Sequence, residues 1–365
     1  MDNYEPLLQV NDLSIYFSTK EGTVKAVDGL SFSVNPNEVL GIVGESGCGK
    51  SVTALAILNL LSRNGKITAG NIIFRDSSEG VIDITRLDPD GDPIRRIRGK
   101  EIAMIFQEPM TAFSPLHTIG NQISEAIELH MYDSRQPERQ KPGDMYQKTA
   151  LPKRGIFNRR AVNKWIGEQT IEILQKVGMP NPEEILHAFP HNLSGGMRQR
   201  AMIAMALSCN PRILIADEPT TALDVTLQAQ VLNLMREMQK RLDMSIIFIT
   251  HDLGVIAEMA DRVVVMYLGK VMEVAKVDDL FYHPMHPYTK ALIHSVPKIS
   301  GPIEMLAPIK GTVPSPMEMP RGCKFHTRCP CILTGVCDMN EPEILTLENG
   351  HQVSCFLYKQ GGASR

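Results

Sequence analysis

The sequence predicts an α/β fold with a largely parallel core, and three stretches carry that prediction. The apolar run Val39–Val43 leads into the glycine-rich turn Gly44-Glu45-Ser46-Gly47-Cys48-Gly49-Lys50-Ser51, and Val52–Leu58 continues as a helix. A second apolar run, Ile213–Ala216, ends on two adjacent carboxylates, Asp217 and Glu218. Between residues 201 and 275, strand-length apolar runs alternate with helical patterns, as in a parallel sheet whose crossovers are helices. With 365 residues and 43% hydrophobic content, the chain can bury a substantial core.

In chain order, residues 8–35 read as antiparallel strands (Leu8–Val10, Leu13–Phe17, Ser31–Val34), with Glu21-Gly22 as a turn signal. Residues 38–125 hold the glycine-rich strand and helix, then Asn71–Phe74 and the run Ile102–Pro109. About 120–200 is mostly helical, and 201–275 completes the parallel core. The segment Met131–Arg160 carries eight basic residues against three acidic ones, with Pro137, Pro142 and Pro152. A solvated loop and a basic contact for anionic lipid or an acidic partner both fit that composition. From roughly 295 onward proline and cysteine rise, as in Val313-Pro314-Ser315-Pro316, which reads as a small, loop-rich appendage behind a completed core.

The glycine-rich turn spells G-x-x-x-x-G-K-S. Its glycines let the backbone curl so that successive N–H groups point at phosphate oxygens, beside the positive end of the next helix. Lys50 is placed to reach the β- and γ-phosphates, and Ser51 to put its hydroxyl on Mg²⁺. A nucleoside triphosphate is the ligand for this chemistry. Strand side chains alternate faces, so Asp217 and Glu218 need not share a role. One can hold Mg²⁺, directly or through water, while the other activates the attacking water. Leu193-Ser194-Gly195-Gly196 leads into a helical run, and small residues at a helix start form a second phosphate-docking surface.

Taken together and in order, these motifs resemble the ATP-binding cassette (ABC) family over about residues 8–290. Gln107 in Ile105-Phe106-Gln107-Glu108-Pro109 matches the family's Q-loop, Ala222-Leu223-Asp224 its D-loop, and His251 its switch histidine. The resemblance implies a cassette over 1–294, with an antiparallel β subdomain beside the P-loop core and an inserted helical subdomain at about 120–200. It implies Glu218 as general base, Asp217 on the Mg²⁺ side and His251 on the γ-phosphate. Gln107 would sense and ligate Mg²⁺ and relay its presence to a membrane partner. An aromatic near the N-terminus should stack on adenine. Leu13, Ile15 and Phe17 share a strand face by alternation, and Phe17 is preferred over Tyr16. The signature residues Ser194, Gly195 and Gly196 of one cassette would close over the ATP of another, so turnover needs a dimer.

Five of the seven cysteines fall between Cys323 and Cys355. The spacing Cys323-x5-Cys329-x7-Cys337-x17-Cys355, with Cys331 extra, lacks the paired knuckles of structural zinc. Spacing alone leaves free thiols, zinc and an iron–sulfur cluster open. Gly322–Pro330, Cys337, Pro342 and Val353-Ser354-Cys355 are similar to the C-terminal extension of dipeptide and oligopeptide importer ATPases, as is His286-Pro287-Tyr288-Thr289-Lys290. The run Ile102–Met110 resembles the first ATPase subunit of that subgroup, with Phe113-Ser114-Pro115 where Leu-Asn-Pro is usual. This implies a 295–365 extension in which Cys323, Cys329, Cys337 and Cys355 hold a [4Fe–4S] cluster, Cys331 being a bystander.

The net charge of −3, with signs interspersed, gives no electrostatic footprint for nucleic acid. No apolar run approaches the ~18 residues of a membrane helix, and Met1–Glu5 lacks a secretory apolar region, so the chain is expected on the cytoplasmic face. The implied function is ATP hydrolysis that energises import of di- or oligopeptides. Partners would be a similar but non-identical ATPase, two membrane permeases and, through the complex, an extracytoplasmic solute-binding protein. Nickel or another small solute is the alternative cargo. A soluble, non-transport ABC ATPase is the rival class, but the long coiled coils or paired cassettes of such proteins are missing.

Overall fold

The computed structural model describes residues 5–76, 80–108, 112–131, 159–221, 223–295 and 309–358. The basic segment singled out above lies almost wholly outside these residues, as does Ala222. The chain forms two compact units, one from residues 1–89 and 247–365, the other from 90–246.

In the first unit, β1 (Leu8–Ser18) pairs antiparallel with β2 (Thr23–Val34) and β4 (Gly65–Asp76), and β5 (Gly80–Asp83) adds to β4. Leu8, Val10, Leu13, Ile15, Val27, Leu30 and Phe74 are buried in this sheet. Strict alternation along β1 does not hold, because the register shifts between Leu13 and Ser14 and again between Ile15 and Tyr16. Leu13 and Ile15 are fully buried, whereas Phe17 is only half-buried.

The P-loop strand β3 (Val39–Val43) is buried throughout and runs parallel to β9 (Arg262–Tyr267). The next strand, β10 (Lys270–Lys276), is antiparallel to β9, so the parallel run expected through residue 275 ends there. The cause is local. Leu268 and Gly269 take φ of 44° and 77°, the two left-handed positions of a tight hairpin turn, and a helical crossover has no room.

Residues 309–358 are not an appendage behind a finished core. Their strand β12 (Gln352–Val353) pairs antiparallel with β10, and β11 (Leu345–Thr346) pairs with β12. Buried Glu273 on β10 accepts from His351 Nε2 at 2.7 Å and from the Met285 and His286 amides. Burial would raise the Glu273 carboxyl, but these bonds hold it below the ordinary carboxylate range. Phe325, with no exposed surface, packs among Tyr267, Tyr288 and His286 at ring separations of 5.3, 5.2 and 5.9 Å. Lys324 and Lys270 share the Glu341 carboxylate, at 2.6 and 2.9 Å. The extension therefore completes the sheet to which the P-loop strand belongs.

In the second unit, β6 (Ile102–Ile105) is parallel to β7 (Ile213–Asp217), with Ile102 opposite Ile213. Its described helices include Ile119–His130, Arg159–Lys176, Gly195–Leu207 and Val225–Leu242. Ile119, Ile123 and Ile127 recur every four residues and are buried, and Thr118 caps their helix by accepting from the Asn121 amide. β8 (Ser245–Ile249) begins in this unit and ends in the first.

Candidate functional site

Two glycines show why the P-loop needs its sequence. Gly44 and Gly49 have φ of 155° and 99°, conformations that side chains resist. A Cβ at Gly44 would collide with the Met266 carbonyl, and one at Gly49 with the Ala26 carbonyl. Gly49 leads directly into the helix Lys50–Ile57, whose first turn Thr53 ties back by donating to the Gly49 carbonyl at 2.9 Å. The buried Lys50 ammonium folds over its own loop, donating to the Gly44 and Glu45 carbonyls at 2.7 and 3.2 Å. Cys48 is also buried, and that burial pushes its thiol up despite the nearby Lys50, which makes it packing rather than a nucleophile. Ser51 is exposed at the start of the helix.

Two further residues of the first unit reach this loop and a third orients one of them, and sequence patterns did not assign any of the three to it. The Glu45 amide donates to Tyr288 Oη at 3.0 Å. The Arg328 guanidinium grips the Glu45 carboxylate with both arms, Nη1 to Oε2 at 2.6 Å and Nη2 to Oε1 at 3.1 Å. His286 accepts from the Tyr288 amide through Nδ1 and so orients that tyrosine. Burial drops the His286 pKa to about 4, so it is neutral near pH 7 and serves as an acceptor. The run His286-Pro287-Tyr288 was legible as a motif, but not its place beneath the P-loop.

β8, which leads to His251, ends beside the P-loop strand, since the Thr250 amide donates to the Ile42 carbonyl at 3.3 Å. His251 itself is exposed, and Asp252 caps the next helix through the Gly254 and Val255 amides. Of the two candidate stacking aromatics, Tyr16 is engaged elsewhere. Its hydroxyl donates to Asp28 at 2.9 Å and Lys25 lies 5.2 Å over its ring. Phe17 pairs across the sheet with Gly65, where any Cβ would strike its ring.

The second unit brings Gln107 and Glu218 together, as Gln107 Nε2 donates to Glu218 Oε2 at 3.1 Å. Thr221 donates to the same oxygen at 2.9 Å. Asp217 is buried at the end of β7, while Glu218 turns off the strand with φ of 48°. For a non-glycine residue that left-handed conformation is costly. Ser194 caps the helix Gly195–Leu207 by accepting from the Met197 amide at 3.3 Å. Gly195 has open space where a side chain would stand, whereas Gly196 is close-packed against Leu227. Gln199 on that helix donates to the Pro219 carbonyl and so ties the signature helix to the residue after Glu218. Asp224 caps the helix Val225–Leu242.

The C-terminal thiols share one electrostatic neighbourhood. Burial pushes Cys355 up to about 11, and Cys323, Cys329 and Cys337 add to the rise. Cys329 likewise reaches about 11 through burial, helped by Cys323 and Cys337 and opposed by a hydrogen bond from the Cys331 backbone. The Cys323 amide donates to the Cys337 carbonyl at 2.8 Å. Even so, no three His, Cys, Asp or Glu side chains among the described residues stand close enough to hold a metal ion. The expected cluster ligands are therefore neighbours without forming a ligand set, and Cys331 is the exposed one.

Residues 27–221 match the family model of the ABC transporter, and residues 272–337 that of the oligopeptide/dipeptide transporter C-terminal region. The oligopeptide transport ATP-binding protein AppD of Bacillus subtilis is 46% identical over 98% of this chain and 99% of its own. The chain belongs to the ABC transporter family. The dipeptide transport ATP-binding protein DppD of the same organism is 45% identical over 98% of this chain and 96% of its own. The cassette fold is shared with the dimeric ATP-binding cassette MJ0796 in its post-hydrolysis state bound to ADP and Pi. That structure has a TM-score of 0.58 at 22% identity, covering 74% of this chain and 98% of the other. As an ABC ATP-binding subunit, the chain is an ATPase coupled to transport. None of its described helices is long and apolar enough to cross a membrane.

Proposed function

We propose that this ABC subunit energises import of di- or oligopeptides from the cytoplasmic face of a membrane. The observation that carries the reading is one chain holding both a complete P-loop cradle and the C-terminal region matched at 272–337. Relatives named for oligopeptide and dipeptide transport align with nearly the whole chain. Gly44 to Ser51 bind the triphosphate, with Lys50 on its phosphates, and Ser51, Gln107 and Asp217 serve Mg²⁺. Glu218 removes a proton from the attacking water while His251 and Lys50 steady phosphoryl charge. Phe17 stacks on adenine, a reading supported by the commitment of Tyr16 to Asp28 and Lys25. Ser194, Gly195 and Gly196 face a nucleotide held by a second, non-identical ATPase, and two permeases and a solute-binding protein complete the importer.

The test is ATP hydrolysis by the reconstituted complex in liposomes, with the binding protein presenting a dipeptide, an oligopeptide or Ni²⁺. Stimulation by peptide is expected, with the isolated chain monomeric and slow. Stimulation by Ni²⁺ alone would replace the peptide reading. Robust turnover by the isolated chain would favour a homodimer.

Cys323, Cys329, Cys337 and Cys355 are the residues that would hold a [4Fe–4S] cluster. The support is the number of cysteines in this region, four beside Cys331, where a cluster needs four thiolates. Anaerobically purified protein should then be brown, absorb broadly near ~400 nm, and bleach when any of the four is changed to Ser. Protein carrying zinc, or no metal, would remove the cluster and leave the ATPase intact.

A further inference from the structure

Glu45 places a carboxylate inside a loop built to receive a polyanion. All three of its polar groups are committed. Its amide donates to Tyr288, its carbonyl accepts from Lys50, and its carboxylate is held by Arg328. Arg328 is itself fixed from every side. Nε donates to the Lys310 carbonyl at 3.1 Å, Nη1 to Tyr267 Oη at 3.3 Å, and the guanidinium lies 5.8 Å over the Tyr267 ring. The Arg328 side chain is 4% exposed and that of Glu45 25%, so the pair is only partly screened by water. Arg328 lies 283 positions from Glu45 in sequence, within the C-terminal region.

We propose that Arg328 is a positioning residue of the nucleotide site: it neutralises Glu45 and fixes its rotamer, so that the P-loop meets ATP without an opposing charge. The C-terminal region thereby contributes to nucleotide affinity. This rests on the P-loop binding ATP as described above. An unpaired Glu45 carboxylate in the loop that receives the triphosphate would oppose binding by an amount read as roughly tenfold in affinity. Catalysis at saturation should change far less, because Arg328 touches no reacting atom.

The experiment is equilibrium binding of a fluorescent ATP analogue to the full chain, with KM and kcat measured on the reconstituted complex. Arg328→Ala should weaken binding about tenfold and raise KM alike, with kcat within about threefold of the native value. Glu45→Gln in the same chain should recover most of that loss, because the repelling charge is gone. Arg328→Lys should also recover most of it by restoring a cation, and it covers the case in which Arg328→Ala does not fold. Native affinity in Arg328→Ala would overturn the proposal. So would a double variant, or Arg328→Lys, as weak as Arg328→Ala, since Arg328 would then only anchor the C-terminal region. Native protein that binds no nucleotide would overturn the P-loop reading as well. Loss of binding in Lys50→Ala but not in Arg328→Ala would sink this proposal alone.

Discussion

Glu218→Gln should still bind ATP but turn it over ~10²–10⁴-fold more slowly. The amide can take the place of the carboxylate between Gln107 and Thr221, and it asks no more of the left-handed backbone at residue 218. What it loses is basicity, so it can orient a water yet cannot accept its proton. Single-turnover phosphate release measures this directly, with nucleotide affinity measured alongside. Near-normal turnover would remove Glu218 from the role of base.

Lys50→Ala acts at an earlier step, and its signature is reduced binding. The ammonium is the charge available to the phosphates, and it also ties the Gly44 and Glu45 carbonyls into the loop. Losing a charge-assisted contact of this kind costs about 1.5–3 kcal/mol, roughly 10- to 150-fold in affinity. Titration with a fluorescent ATP analogue should show that loss, whereas Glu218→Gln should titrate like the native chain. Unchanged affinity in Lys50→Ala would count against phosphate binding by this loop.

The parts of the site legible in sequence are those where chemistry restricts residue choice. Gly44 and Gly49 sit where a Cβ has no room, and Ser194 caps a helix that follows the signature as its pattern suggested. Glu218 was legible by its neighbours, though its backbone conformation was not. The meeting of Gln107 with Glu218 depends on β6 lying beside β7, a pairing between strands more than a hundred residues apart. The difference between fully buried Ile15 and half-buried Phe17 was not legible, because register shifts leave no trace in a period-2 pattern. The C-terminal region was the least legible. Two-residue strands carry no periodicity, and the contacts of Phe325, Arg328 and His351 all reach far back along the chain.

Synthesis runs from the P-loop toward Arg328, so the nucleotide cradle leaves the ribosome well before the residues that finish it. Residues 90–246 form a continuous unit that can collapse as soon as it emerges. The unit that holds the P-loop cannot. Its first 89 residues must wait for strands β9 and β10, and then for β12, which covers the open edge of β10 and supplies the neighbour of Glu273. A nascent chain halted before that point would present an unpaired strand edge and a buried-type carboxylate to solvent, the kind of surface on which chaperones act. Completion of the nucleotide cradle thus waits until the C-terminal region has docked.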